Sequence, residues 1–183
     1  FVFKQTDNGF QVDYTNDGIA AYDVFRALQR NEDIDSLLAL ARDDLFSPPL
    51  IPILCQSELF RHEYDRATEA CLRGLYVLQN SLPASFVPLQ SKLVSSPARL
   101  DFLDFVAFLA RFTFRRGCYE TSSAIWRFGV SLTTDDPTNF LLQAAVPAIY
   151  AKDSAFIDSV FEQNLSWRGI PVEYIPDWSI AFA

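Results

Sequence analysis

Two stretches decide the fold: Glu63–Tyr64–Asp65–Arg66–Ala67 and Gly117–Cys118–Tyr119–Glu120–Thr121–Ser122. Each follows an apolar run with helical spacing, and each opens another. In the run opened by the first of these stretches, Tyr64, Ala67, Cys71, Leu75 and Leu78 follow one another at steps of three and four. Ala67 and Gly74 are small enough to admit a partner helix closely. Paired helices of this kind cannot bury their apolar faces alone, so they stack. The expectation is an all-α chain of tetratricopeptide-like stacked helical hairpins, a right-handed α-solenoid of about eight helices. Second helices of successive pairs would begin near Tyr64, Tyr119 and Ser154, the last two spaced close to the ~34-residue tetratricopeptide period.

Start and stop signals mark the remaining helices. Ser96–Pro97 precedes a run with Asp101 and Asp104 towards its positive end and Arg111, Arg115 and Arg116 towards its negative end. Gly117 can end that helix in the left-handed conformation. Leu100, Phe102, Leu103, Phe105, Val106, Phe108, Leu109 and Phe112 surround most of its cylinder, which places it centrally. Asp136 reads as the cap of a helix with Pro137 in its first turn, Phe140, Leu141, Ala144, Ala145 and Ala148 inward, and a kink at Pro147. Asp153 starts another, marked by Phe156, Ile157, Val160 and Phe161.

Upstream of Tyr64, Ser47–Pro48–Pro49 opens a helix to about Arg61. Asn31 or Asp33 caps one bearing Ile34, Leu37, Leu38 and Ala41, and Asn16–Asp17–Gly18 caps one with Ala21, Val24, Phe25 and Leu28 on one face. Residues 1–14 alternate weakly around Asp7–Asn8–Gly9 and read as an extended or turn-rich lead-in. Residues 81–94 read as a loop over the core, and 164–178 as a loop containing Gly169, Pro171 and Pro176. The organisation expected is a single helical repeat domain: a lead-in over 1–15, the array over 16–164, and 165–183 as a loop leading into a further helix. Phe1 at the start, the absence of Met and the apolar end suggest a fragment of a longer protein.

Half of the 183 residues are hydrophobic and 17 are Phe, which argues against extensive disorder. A net charge of -8 argues against a nucleic-acid surface formed by the segment as a whole, because phosphate contacts need clustered Lys and Arg. Cys55, Cys71 and Cys118 are odd in number and lack CxxC spacing, so they read as buried thiols in a reducing compartment. The apolar run over 100–114 contains Asp101, Asp104 and Arg111, which makes it a buried helix and not a membrane span.

The chemistry of catalysis finds little support. His62 is the sole histidine, so any Ser–His–Asp or Cys–His arrangement must use it, and its place between Arg61 and Glu63 suits a surface or capping role better. One histidine and dispersed cysteines lack metal-ligand spacing, and no GxGxxG or GxxxxGK[ST] run is present. Asp135–Asp136 is explained better by capping than by paired catalytic carboxylates. The chain therefore reads as non-enzymatic, with no catalytic, cofactor-binding or metal-ligating residues. Arg111, Arg115 and Arg116, interleaved with Phe112 and Phe114, are candidates for contact with an acidic partner, a carboxylate-bearing peptide or an RNA phosphate. Compensation of the helix dipole explains the same arginines. Trp167, Tyr174 and Trp178 are either exposed anchors for a partner or a cover for the core.

In order along the chain, several short motifs resemble the transcription factor 25 family, which includes subunit 1 of the ribosome quality control complex. They are Phe1–Val2–Phe3, Asn31–Glu32–Asp33–Ile34–Asp35–Ser36–Leu37–Leu38, Leu75–Tyr76 and Phe86–Val87–Pro88–Leu89. Arg99–Leu100–Asp101–Phe102 resembles the family's Arg-Leu-x-aromatic start of a central helix. Arg116–Gly117–Cys118 and Asp135–Asp136–Pro137 are the clearest landmarks, and Ile175–Pro176–Asp177–Trp178–Ser179 resembles the Leu-Pro-Asn-aromatic segment ahead of a further helix. Two departures stand out: the Glu-Asn-Arg triplet is absent around Asp101 to Asp104, and Tyr119–Glu120–Thr121–Ser122–Ser123 replaces Arg-Thr-Ala-Leu-Glu.

The resemblance implies a scaffold, not an enzyme, acting on large (60S) ribosomal subunits that carry stalled nascent chains. Its implied partners are the subunit itself, a listerin-type ubiquitin ligase, ubiquitin in lysine-48-linked chains, and the valosin-containing protein segregase, with no membrane. RNA contact would come through a basic N-terminal region outside this segment. The implied location is cytoplasmic and ribosome-associated, with a nuclear one also compatible. The alternative reading is a generic tetratricopeptide-like adaptor for a peptide of a chaperone or transcriptional regulator.

Overall fold

The computed structural model describes residues 1–15, 20, 23, 24, 26, 27, 30, 31, 33–43 and 47–182. Asn16, Asp17, Gly18, Ala21, Phe25, Leu28, Glu32 and the side chain of Ile34, which the sequence singles out, lie outside the described residues. The described chain is mostly helical, as expected of the all-α class. Its helices are α1 (Ile34–Asp43), α2 (Ile51–Phe60), α3 (Tyr64–Ser81), α4 (Arg99–Arg115), α5 (Tyr119–Leu132), α6 (Phe140–Ala151), α7 (Ser154–Glu162) and α8 (Pro176–Phe182). Ala20, Asp23, Val24, Arg26, Ala27 and Arg30 are helical as well, although Val24 is exposed. Two antiparallel hairpins accompany the helices, β1 (Val2–Thr6) with β2 (Gly9–Asp13) and β3 (Ser166–Trp167) with β4 (Ile170–Pro171). The chain forms two compact units, residues 1–86 with 94–105 and residues 87–93 with 106–183.

In the first unit the lead-in is a paired ribbon, Phe3 opposite Val12 and Thr6 opposite Gly9, with Asp7–Asn8 at the turn. Along β2 burial alternates, Phe10 and Val12 inward, as the two-residue period of a strand requires. The rings of Phe1 and Phe3 meet Phe102 edge-on, each at 5.2 Å, and Phe10 lies 5.0 Å from Phe86. Ser96 is not the helix cap expected. Its hydroxyl accepts the Val12 amide at 3.1 Å, while the chain turns through Pro97 and Ala98 and α4 begins at Arg99. Tyr14 donates to Asp101, which also pairs with Arg26 at 2.6 Å.

The Ser47–Pro48–Pro49 start is likewise shifted: the two prolines form a turn, and Pro52 is the proline inside the first turn of α2. Ser47 carbonyl oxygen accepts the amides of Leu50 and Ile51. Helices α2 and α3 pack through Leu54, Cys55, Ala67, Cys71 and Gly74, all buried, and the Cys55 thiol donates to the Ala67 carbonyl at 3.6 Å. Small side chains on α3 allow this approach, as its sequence implies. Leu37 and Ala41 of α1 are buried as expected, whereas Tyr64 is 48% exposed.

In the second unit, Gly117 stands at φ +78 and donates to the Phe114 carbonyl, the left-handed helix stop expected of it. Ser122 hydroxyl donates to the Ala110 carbonyl at 2.8 Å, both groups buried, and so ties α5 to the last turns of α4. Asp136 accepts the first two amides of α6, from Phe140 at 2.6 Å and Leu141 at 3.1 Å, but Pro137 lies ahead of the helix and not in its first turn. The helix continues through Pro147. Asp153 caps α7 as expected, accepting from the Phe156 amide at 3.2 Å and from the Ser123 hydroxyl at 3.0 Å. Leu93 amide donates to the Leu132 carbonyl at 2.7 Å. Within α4 the expected all-round burial is incomplete: Leu100 is 55% exposed and Phe108 half-buried. The segment expected as a loop over 164–178 contains the second hairpin, a short 3-10 turn at Val172–Tyr174 and the start of α8.

Candidate partner-binding pocket

Arg111 and Arg115 are one helical turn apart and therefore lie on one face of α4. Both are exposed, at the end of the helix where its dipole favours cations. Around them α5 contributes Trp126, α6 contributes Gln143, Val146 and Pro147, and α8 contributes Asp177. These side chains, with Phe114 and Leu142, line an open cavity of about 320 Å³. Arg111 Nη1 donates to Gln143 Oε1 at 3.3 Å. Trp126 is 1% exposed, its ring edge-on to Phe140 at 5.6 Å, and its indole N–H finds no acceptor among the described residues. A buried donor left without an acceptor costs about 1–3 kcal/mol.

Of the six residues singled out for partner contact, the pocket brings together Arg111 and Arg115. Arg116 is exposed but does not line it. Trp167 is half-buried elsewhere, its indole N–H on Asn139 Oδ1 at 2.9 Å and the Arg168 guanidinium 4.9 Å over its ring. Trp178 is a correction. It is 0% exposed, its N–H donates to the Leu141 carbonyl at 2.8 Å, and Phe156 meets it edge-on at 5.8 Å. Because α8 begins at Pro176, Trp178 falls on a helix face packed against α6 and α7, where it is core and not an anchor for a partner. Tyr174 remains exposed.

His62 is exposed at the junction of α2 and α3, with Nδ1 3.2 Å from the Tyr64 hydroxyl and φ +62. Cys55 and Cys71 are buried free thiols as expected, and burial, helped by the nearby Cys71, raises the pKa of Cys55. Cys118 is the exception: it is exposed, because it occupies the cap position of α5. Tyr14 is pushed up to about 12, first by burial and then by the Asp101 carboxylate it donates to.

A larger cavity of about 610 Å³ lies beside α5 and α7, lined by Lys92 and Arg127 among others. Lys92 Nζ donates to the Ser131 carbonyl at 2.5 Å, and Arg127 lies 3.7 Å from Asp153. The Trp126 N–H, Gln143, Pro147 and Asp177 escape the sequence reading, since they reach the arginines only through tertiary packing. Gln143, a polar residue in the apolar run of α6, is the sole local signal of the group. Comparison with family models, curated proteins and solved structures returns no match.

Proposed function

We propose that the chain is a non-catalytic helical-repeat scaffold of ribosome-associated quality control, which holds ubiquitylation machinery at stalled large ribosomal subunits and promotes lysine-48-linked ubiquitylation of nascent chains. The observation that carries the reading is the ordered series of landmarks resembling the transcription factor 25 family, above all Arg116–Gly117–Cys118 and Asp135–Asp136–Pro137. Starts of α3, α5 and α7 at Tyr64, Tyr119 and Ser154 support a tetratricopeptide-like stack. In such a stack the chain works by positioning: faces of successive helix pairs hold two protein surfaces at a fixed geometry. Its partners would be the large subunit, a listerin-type ligase, ubiquitin and the valosin-containing protein segregase, in the cytoplasm. Full-length protein is expected to copurify with large subunits and the ligase. Lysine-48 chains that form undiminished after its deletion would overturn the scaffold role.

A second reading, a tetratricopeptide-like adaptor for a chaperone or regulator peptide, is favoured by the pocket lined with Arg111, Arg115 and Gln143. Tight binding to one isolated peptide, with no ribosome association of the full-length protein, would select it.

A further inference from the structure

We infer that the open groove beside Tyr119 and Tyr150 docks a proline-rich linear peptide of a partner protein, in the polyproline II conformation. The inference goes beyond the scaffold reading and does not rest on it. Three rings converge where α4, α5 and α6 end or begin. Tyr119 and Tyr150 are 5.0 Å apart at a 45° tilt, and Phe114 lies 5.3 Å from the first and 5.5 Å from the second. Tyr150 is 58% exposed, whereas Trp126, Phe140 and Trp178 of the same unit are buried. The groove beside the tyrosines measures about 480 Å³, and Gly117, Cys118, Glu120, Thr121, Ala151 and Lys152 also line it. A Cβ on Gly117 would meet nothing within 4 Å, so an extended chain can lie close to the backbone there.

Hydrogen-bonding chemistry selects the occupant. Among the described residues the hydroxyls of Tyr119, Tyr150 and Thr121 have no hydrogen bond, and Lys152 and Glu120 have no ion pair. The groove thus offers three hydroxyl donors and an ammonium against one carboxylate. A polyproline II chain leaves its backbone carbonyls unpaired, its prolines bring no N–H to satisfy, and their rings lie flat on aromatic faces. A peptide added as a strand would need a sheet edge, and no strand borders this groove. A helical peptide has few free carbonyls for these donors. Glu120 complements an Arg or Lys beside the prolines, a charge that an acidic chain of -8 also attracts. Single-stranded RNA would stack on the same rings, but Glu120 and the net charge oppose its phosphates.

The test selects a displayed library of random, cysteine-free linear peptides on the purified chain, then measures the enriched sequences by fluorescence polarisation. Enriched peptides are expected to share spaced prolines with an Arg or Lys beside them. Tyr150→Ala, at an exposed position, should weaken binding about tenfold or more. Tyr119→Phe and Tyr150→Phe keep the rings and remove only the hydroxyls, so each should weaken it about three- to fivefold. Glu120→Gln should weaken it about two- to fivefold. Cys118 lines the groove and is exposed, so saturating peptide should slow its labelling by a maleimide. Enrichment of sequences without proline, equal binding by the tyrosine variants, an unchanged Cys118 labelling rate, or displacement of the peptide by a polyuridine oligonucleotide would each overturn the proposal.

Discussion

Gly129 sits where α5 meets α6 with no room for a methyl group. A Cβ there would fall within the ring of Phe140, which is 0% exposed and has nowhere to retreat. Gly129→Ala is therefore expected to destabilise the chain by about 1–3 kcal/mol or more, although alanine favours helix, and urea unfolding would measure it. Cysteine exposure makes a second residue-scale prediction. A maleimide should label Cys118 quickly in the folded chain, and Cys55 and Cys71 only after denaturation. Rapid labelling of all three under native conditions would contradict the packing of α2 against α3.

At the scale of elements, caps explain what was legible. Asp153, Gly117 and Asp136 mark helix ends through local chemistry, so their positions can be read from the sequence. What was not legible depends on distant partners: Ser96 looks like a cap until the Val12 amide takes its hydroxyl. The second hairpin has strands too short for any periodicity, and Trp178 looks like a loop residue until α8 is seen to begin at Pro176. The two pocket arginines share a helix face by spacing alone, whereas Trp126 and Gln143 join them only through packing.

The cap at Asp136 also makes stability depend on pH. Burial raises its carboxyl above the ordinary value and Asp135 adds to the rise, against the amides of Phe140 and Leu141 and the charge of Arg168. The folded chain thus binds this proton more readily than the unfolded chain. Its contribution to stability falls as pH rises from below the unfolded value of about 3.9 through the raised folded one. Asn keeps an acceptor oxygen and suits the left-handed backbone at φ +40, but carries no charge. Relative to Asp136→Asn, the unsubstituted chain should gain stability as pH is lowered through that window, in paired urea titrations, with a flat difference above it.

For the whole molecule, net charge sets what can approach. At -8 the chain repels a polyanion over most of its surface, and two arginines in one pocket do not reverse that. Isolated, it should bind a polyuridine oligonucleotide more weakly than about 10⁻⁴ M at physiological salt, by fluorescence polarisation. Micromolar binding would contradict the proposed division of labour, in which RNA contacts belong to other segments. Among the described residues no helix is long and apolar enough to cross a membrane, and Trp126, Phe140 and Trp178 are buried by packing between helices.

Phe140 shows how tight that packing is. Its ring is held edge-on by Trp126, and its own amide is fixed to Asp136. A ring so confined turns over only when α5 and α6 part for an instant. Distinct NMR signals from its two edges, merging on warming, would time that momentary opening of the interior.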